Sequence, residues 1–419
     1  MRALWRVLAH RDFRLLLSAG LISLTGDWIL RIGLAYYTYR ITGSTLASGV
    51  VVLASTLPQL LLGTVAGTFV DRWSRRGTMI VANLLLAVGL LPLLLVHHAG
   101  QIWIVYLVTV FAACVEQFFA PAEAAILPSL VDEENLVSAN ALNGQNRDVA
   151  RLVGAALGGV AAGVGGLTAV TVLDVGSFLL AAALLGLIRA RGAAAVTTPE
   201  PDPVPALRGW VDGLRTAVRN RTVRAVLLYL GITSVGEGVM STLMAPWVSD
   251  VLHGDGRAYG TILSVQAAGG IAGGLVAAGL GNRIRPELMF GVGAVLFGAL
   301  DLVLFLYPLV LVAVWPAGVV IALVGLPGAC LVAGCTTLLQ TSTEDSHRGR
   351  VFGALGSVMG LGALLGTVGA GLLGDRLGIV PVIATQGAGN VVGGVLVLIL
   401  LRARAPIPAT VPEPAARPA

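Results

Sequence analysis

Val81-Ala-Asn-Leu-Leu-Leu-Ala-Val-Gly-Leu-Leu-Pro-Leu-Leu-Leu-Val96 holds one polar side chain, Asn83. Lipid offers no hydrogen-bond partners, so a segment crossing it is a helix or part of a closed barrel. A barrel strand alternates polar and apolar residues, and this stretch does not, so it reads as a membrane helix. Apolar runs of about 20 residues, enough to cross a bilayer, recur along the chain. They fall near 14–38, 45–70, 77–97, 101–128, 136–164, 167–189, 223–249, 258–281, 287–306, 309–338, 350–374 and 378–402. The expected fold class is an all-α membrane protein of 12 transmembrane helices. Composition agrees: 56% of the 419 residues are hydrophobic and 12% charged, against about 25% charged in a soluble domain. Mean hydropathy is +0.87. The first apolar run is full length with no small-residue cleavage site after a short core, so it is expected to remain as the first span.

The net charge of +5 is carried by Arg alone, without Lys. Most arginines fall in alternate loops: Arg2 to Arg14, Arg72 to Arg76, Arg189 to Arg224, Arg283 and Arg285, Arg348 and Arg350, and the tail. The intervening loops carry only Arg40, Arg257 and Arg376. Membrane topology explains that distribution better than nucleic acid does, and it places both termini in the cytoplasm. Cys114, Cys330 and Cys335 lie inside apolar segments and imply no disulfide framework. The histidines, His97, His98 and His253 among them, form no ligand set with Cys or carboxylates, so no metal site is expected. The glycine clusters follow no strand and precede no Lys-Ser/Thr pair, so none is a nucleotide loop. No cofactor is expected, and no nucleophile–base constellation points to an enzyme.

Residues 190–222 break the apolar pattern with a Pro/Thr/acid stretch and an Arg-rich piece, and read as a cytoplasmic linker. Bundles of six spans flank it, 1–189 and 223–402, followed by a disordered tail at 403–419. The two bundles echo each other at an offset of about 210 residues. Ile22-Ser-Leu-Thr-Gly-Asp27 matches Ile232-Thr-Ser-Val-Gly-Glu237, Asp71-Arg72 matches Asn282-Arg283, and Asp132-Glu-Glu134 matches Thr343-Glu-Asp345. A duplicated six-helix unit is the parallel-repeat arrangement of many transporters, whose site lies near midplane between the repeats.

Gly67-Thr-Phe-Val-Asp71-Arg72-Trp-Ser-Arg75-Arg76, between the second and third spans, resembles the loop signature of the major facilitator superfamily. Phe119 to Val131 and Asn140-Ala-Leu142 resemble its bacterial efflux branch, which includes enterobactin exporters and actinobacterial multidrug pumps. The likeness covers roughly residues 10–402. It implies that Asp71 meets the start of the eleventh span near Val351–Gly353, where a carboxylate suits the positive helix end. Such a latch would hold the halves together on the cytoplasmic side. Arg72, Arg75 and Arg76 also satisfy topology alone. Gly154-Ala-Ala-Leu-Gly158-Gly159 resembles the antiporter signature of the fifth span, with Ala155 where that signature has Pro. A helix-packing stripe explains the same glycines.

Ionisable groups inside spans cost roughly 2.5–3.5 kcal/mol each on insertion scales, so each must face protein or water. Asp27 and Arg31 are one turn apart on one face and can pair, either for self-neutralisation or as a proton site. Glu237, the repeat mate of Asp27, has no basic residue within a turn, and burial without a partner favours the neutral, proton-carrying form. Arg147 and Arg151 share a stripe with Gly154 and Gly158, and Glu116 and Glu123 of the fourth span are expected to neutralise them. Asp174 and Asp301 are open between helix packing and function. Three functions stand: a proton-coupled exporter of small amphipathic organic molecules, a dedicated transporter of a siderophore, sugar or lysophospholipid, or a non-transporting sensor or scaffold. The expected setting is a bacterial inner membrane, as a monomer in the lipid bilayer.

Overall fold

The computed structural model describes residues 7–70, 73–132, 135–189, 215, 218–280, 283–342 and 345–401. Among these there is no strand. The helices are α1 (Arg11–Thr42), α2 (Thr45–Val70), α3 (Arg75–Leu90) and α4 (Ile102–Ile126). The stretch Leu136–Gly186 bends sharply at Gly166 (φ 57°, ψ −148°) into two limbs, α5 before it and α6 after it. There follow α7 (Arg221–Pro246), α8 (Gly256–Leu280), α9 (Pro286–Leu306), α10 (Trp315–Ser342), α11 (Asp345–Leu377) and α12 (Ile379–Leu401). Among the described residues, ten helices are long and apolar enough to cross a membrane, Ser138–Gly186 being one of them.

Packing along α1 shows that the chain reverses at Gly166. Gly154 abuts Thr25 and Trp28, and Gly158 abuts Ile29 and Ile32. Gly26 abuts Asp174 and Ser177, and Gly33 abuts Val170. Both limbs therefore converge on Gly166 as α1 advances. A positive φ with extended ψ suits glycine, which has no Cβ to clash there.

The opening stretch shows what sorts side chains in such a protein. Met79, Ala82, Asn83, Leu86 and Leu90 of α3 are buried, whereas Val81, Leu84, Leu85 and Val88 are 43–66% exposed on the opposite side. Both faces are apolar because one meets protein and the other lipid. Helix association then rests on van der Waals fit and close backbone approach. Asn83 donates to the Met79 carbonyl (2.8 Å) within its own helix. One span differs from expectation: α10 begins at Trp315, not near 309. Pro308 and the β-branched residues Val310, Val312 and Val314 disfavour helix, while Pro316 suits a first turn.

The hydrophobic clusters sort by half. Two lie wholly within residues 7–188 and one wholly within 223–401. The fourth draws on every helix from α7 to α12 and is joined by Ile32, Tyr36 and Ala155 of the first half. Its centre is the fully buried Trp247, edge-on to Phe305 at 5.5 Å.

The offset of about 210 residues reappears as paired contacts. Gly154 packs on the Thr25 carbonyl, and Gly366 packs on the Val235 carbonyl. Gly26 packs on Asp174, and Gly236 packs on Gln386. The α5–α8 crossing at Gly159 and Gly260 is mirrored by the α2–α11 crossing at Gly371 and Gly49. Among the described residues, the hydrogen bonds between halves, Tyr39 to Asp250, Ser44 and Thr45 to Asp375, and Thr45 to Gly371, lie at the face opposite the chain ends. The halves are sealed at that face.

Candidate functional site

Mid-height in the first half, α1, α4 and α6 bring three acids together. Asp27, Glu116 and Asp174 lie within electrostatic reach of one another, with Arg31 near Asp27 and Glu116. Arg31 acts on Asp27 through charge without a direct ion-pair contact between the two side chains. Its guanidinium lies over the Trp28 ring, 5.0 Å from the centroid, and its charge also reaches Tyr259 of α8. Stacking on an indole favours a cation and leaves its N–H groups free for other acceptors. Asp174 is fully buried; its Oδ1 accepts from the Ser177 hydroxyl (3.1 Å), and its Oδ2 has no hydrogen-bond partner among the described residues. On the membrane side of this cluster, α1, α5 and α6 leave a groove of about 410 Å³ bounded by Thr25, Val153, Leu173 and Ser177.

The second half repeats the theme with different chemistry. Glu237 on α7 and buried Asp301 on α9 lie within reach of each other. Tyr229 donates to Asn390 Oδ1 (2.7 Å), and Asn390 donates to the Gln386 carbonyl (3.0 Å). Gln386 is buried against Gly236 with its Oε1 unpartnered, at the place where the first half has Asp174 against Gly26. The ionisable member of that pair is thus kept in one half only.

Of the four residues expected to form one charge network, two are in contact. Arg147 Nη2 is 3.9 Å from Glu123 Oε2, and Glu123 also accepts from Asn143. Asn146 donates to the Leu17 carbonyl (2.9 Å), fixing α5 to α1 beside them. Arg151 and Glu116 are placed elsewhere. Arg151 on α5 lies within electrostatic reach of Glu237 on α7, in the other half, and Glu116 joins Asp27 and Asp174. One turn of helix separates Arg147 from Arg151, yet the first serves its own half and the second the other.

Gly67 falls within α2, and Asp71 and Arg72, with the latch expected there, lie outside the described residues. Arg75 and Arg76 work inside the first half. Arg75 donates to the Ala125 carbonyl at the end of α4 (2.8 Å), and Arg76 donates to the carbonyls of Leu185 (2.9 Å) and Gly186 at the end of α6. Cations suit helix C-termini, where the last carbonyls lack partners. Gly154 and Gly158 pack against α1, and Gly159 against α8.

Sequence reasoning left Asp174 and Asp301 open and passed over Gln386, Asn390 and Tyr229. The repeat offset carried the missing signal for one of them, because Gln386 stands 212 residues after Asp174.

Two lobes of like architecture, polar groups at mid-height and a seal at one face define a membrane transporter of the major facilitator fold. The chain belongs to the family described as transmembrane secretion effectors, which it matches over residues 3–411. It is 29% identical over 378 residues to multidrug efflux pump Tap of Mycobacterium tuberculosis, covering 87% of each chain. It is 24% identical over 362 residues to macrolide efflux protein A of Streptococcus pyogenes, covering 85% of this chain and 88% of that protein. Among solved structures it superposes on a bacterial homologue of the iron transporter ferroportin, with a TM-score of 0.73, 15% identity, and 93% and 98% of the two chains covered. The nucleoside transporter NupG superposes with a TM-score of 0.71 at 12% identity, covering 93% and 99%.

Proposed function

We propose that this chain is a proton-coupled exporter of small amphipathic organic compounds that works by alternating access. The observation that carries the reading is the division of buried acids between the lobes, Asp27, Glu116 and Asp174 in one and Glu237 and Asp301 in the other. Arg31 and Arg151 lie beside these acids and reach across to the other lobe. A carboxyl whose cation sits on the opposite lobe loses or regains that cation as the lobes move, so its proton affinity changes with the state of the transporter. That coupling is what exchange of a proton for a solute requires. The relatives named for macrolide and multidrug efflux support export.

In this reading 1–189 and 223–402 are the two six-helix lobes, joined by a cytoplasmic linker at 190–222, with twelve crossings and the 403–419 tail. The protein is a monomer in a bacterial inner membrane. Both chain ends are cytoplasmic, so the sealed face is the outer one. In energised everted vesicles, Asp27→Asn is expected to lose drug accumulation and drug-induced proton release while keeping wild-type expression. Normal export by that variant would remove Asp27 as the coupling acid, and drug movement without proton movement in the parent protein would favour a facilitator of a dedicated metabolite.

A further inference from the structure

The seal contains one contact that its own pseudo-symmetry marks as special. Helices α2 and α8 occupy equivalent places in the two lobes, and both start at the sealed face. The N-terminus of α8 is capped from within: Asp255 Oδ1 accepts from the Ala258 amide (2.9 Å). The N-terminus of α2 has only Ser44 in that role, whose hydroxyl is 3.4 Å from the Ala47 amide. Its acid comes from the other lobe. Asp375, at the end of α11, accepts from the Thr45 amide (3.2 Å). The Thr45 hydroxyl stands 2.9 Å from the same oxygen and 3.1 Å from the Gly371 carbonyl. Thr45 and Asp255 are 210 residues apart, and Asp375 stands 212 residues after Gly163, which packs on the Arg257 side chain instead. The cap that α8 carries on its own chain is thus supplied to α2 in trans.

Gly371-Leu-Leu-Gly-Asp375-Arg376 also repeats the spacing of Gly67-Thr-Phe-Val-Asp71-Arg72, at the opposite end of the helix that α2 crosses. Close approach is what lets the carboxylate arrive. A Cβ at Gly374 would lie 2.9 Å from the Thr45 hydroxyl, and one at Gly371 would lie 3.3 Å from Leu46 Cα.

We propose that Asp375 is a releasable cap for α2 that biases the transporter toward the state sealed at this face. A carboxylate at a helix N-terminus is favourable only while it is in place, and this one departs with its lobe when the face opens. The cap of Asp255 travels with α8 and contributes equally in both states, so it biases nothing. The inference rests on the alternating-access reading, but its test does not require transport.

The test places spin labels at His98 and Val310, exposed loop residues of the two lobes at the sealed face, in a background with Cys114, Cys330 and Cys335 replaced by Ser. Pulsed EPR distances are then recorded in lipid nanodiscs. Asp375→Ala is expected to raise the ratio of long to short distances about two- to fivefold, the upper figure being the loss of about 1 kcal/mol of capping. Asp375→Asn, which keeps an acceptor without the charge, is expected to fall between. Asp255→Ala is expected to leave the ratio unchanged. Thr45→Pro removes the amide donor at a first-turn position that tolerates proline and leaves only the 3.5 Å contact of Ser44 with Asp375, so adding Asp375→Ala to it is expected to shift the ratio far less than Asp375→Ala alone. An unchanged ratio in Asp375→Ala, an equal shift in Asp255→Ala, or additive effects with Thr45→Pro would overturn the proposal. A shift in distances from a chain that exports no compound would leave the cap standing and sink the function proposed above.

Discussion

Replacing Gly260 by alanine puts the α5–α8 seal to a quantitative test. A Cβ built at Gly260 lies 2.5 Å from Gly159 Cα, 2.7 Å from the Ala155 carbonyl oxygen and 2.8 Å from Gly159 N. All three are backbone atoms, so no rotamer change relieves them. Carbon contacts are comfortable at about 3.5 Å, so the two helices must part by roughly 1 Å or bend. Overpacking of this kind costs about 1–3 kcal/mol, which is about fivefold to more than a hundredfold in an equilibrium. The strain exists only while the lobes meet, so it falls on the sealed state. Drug efflux in a pump-deficient host and the same two-label distance measurement would read it: Gly260→Ala should open the sealed face and cut efflux at unchanged expression. The pseudo-symmetric substitution supplies the control. A Cβ at Gly49 meets its nearest neighbours at 3.4–3.7 Å, so Gly49→Ala should be nearly silent. Equal effects at the two positions would refute the reasoning, because they would show that the crossings respond to something other than the gap at each.

Gly166→Ala places a side chain at φ 57°, ψ −148°, and should lower the thermal unfolding midpoint through a strain of about 1–3 kcal/mol, read in detergent by tryptophan fluorescence. Arg76→Gln removes the donors to the α6 carbonyls and should destabilise the first lobe by about 1 kcal/mol, again as a lowered midpoint, without altering which drugs are exported. Arg147→Gln and Arg151→Gln should part company. The former weakens a contact with Glu123 inside one lobe and should leave the ratio of drug moved to protons moved intact, whereas the latter strips Glu237 of its cation across the lobes and should change that ratio. Identical ratios in the two variants would place Arg151 with Arg147 after all.

The membrane class and the helices were legible because apolar run length is a one-dimensional property, and Val81–Val96 declares itself without reference to any neighbour. The duplication was legible for a related reason, since residues such as Thr25-Gly26-Asp27 and Val235-Gly236-Glu237 keep their spacing in both lobes. Partner choice was not legible. Arg147 and Arg151 lie on one stripe of one helix, and only the meeting of the two halves, where α5 crosses α8, brings the second within electrostatic reach of Glu237. Arg31 illustrates the same limit, because the i, i+4 rule allows a pair with Asp27 but does not weigh it against the Trp28 ring that occupies the same reach. The start of α10 was misread for a local reason: hydropathy alone does not distinguish helical residues from Val310 to Val314, an apolar loop that lies at the edge of the lipid.

The seal at the face opposite the chain ends has a further property that follows from its composition. At both crossings the surfaces that meet are backbone, Gly159 on Gly260 and Gly371 beside Gly49. Where backbone meets backbone, parting the helices frees no side chain at the point of contact, so the entropy released on opening comes from the bonded side chains beside the crossings, Tyr39, Thr45 and Asp375. The side chains that parting the lobes would uncover are those beside the crossings, Tyr36, Tyr39 and Leu46.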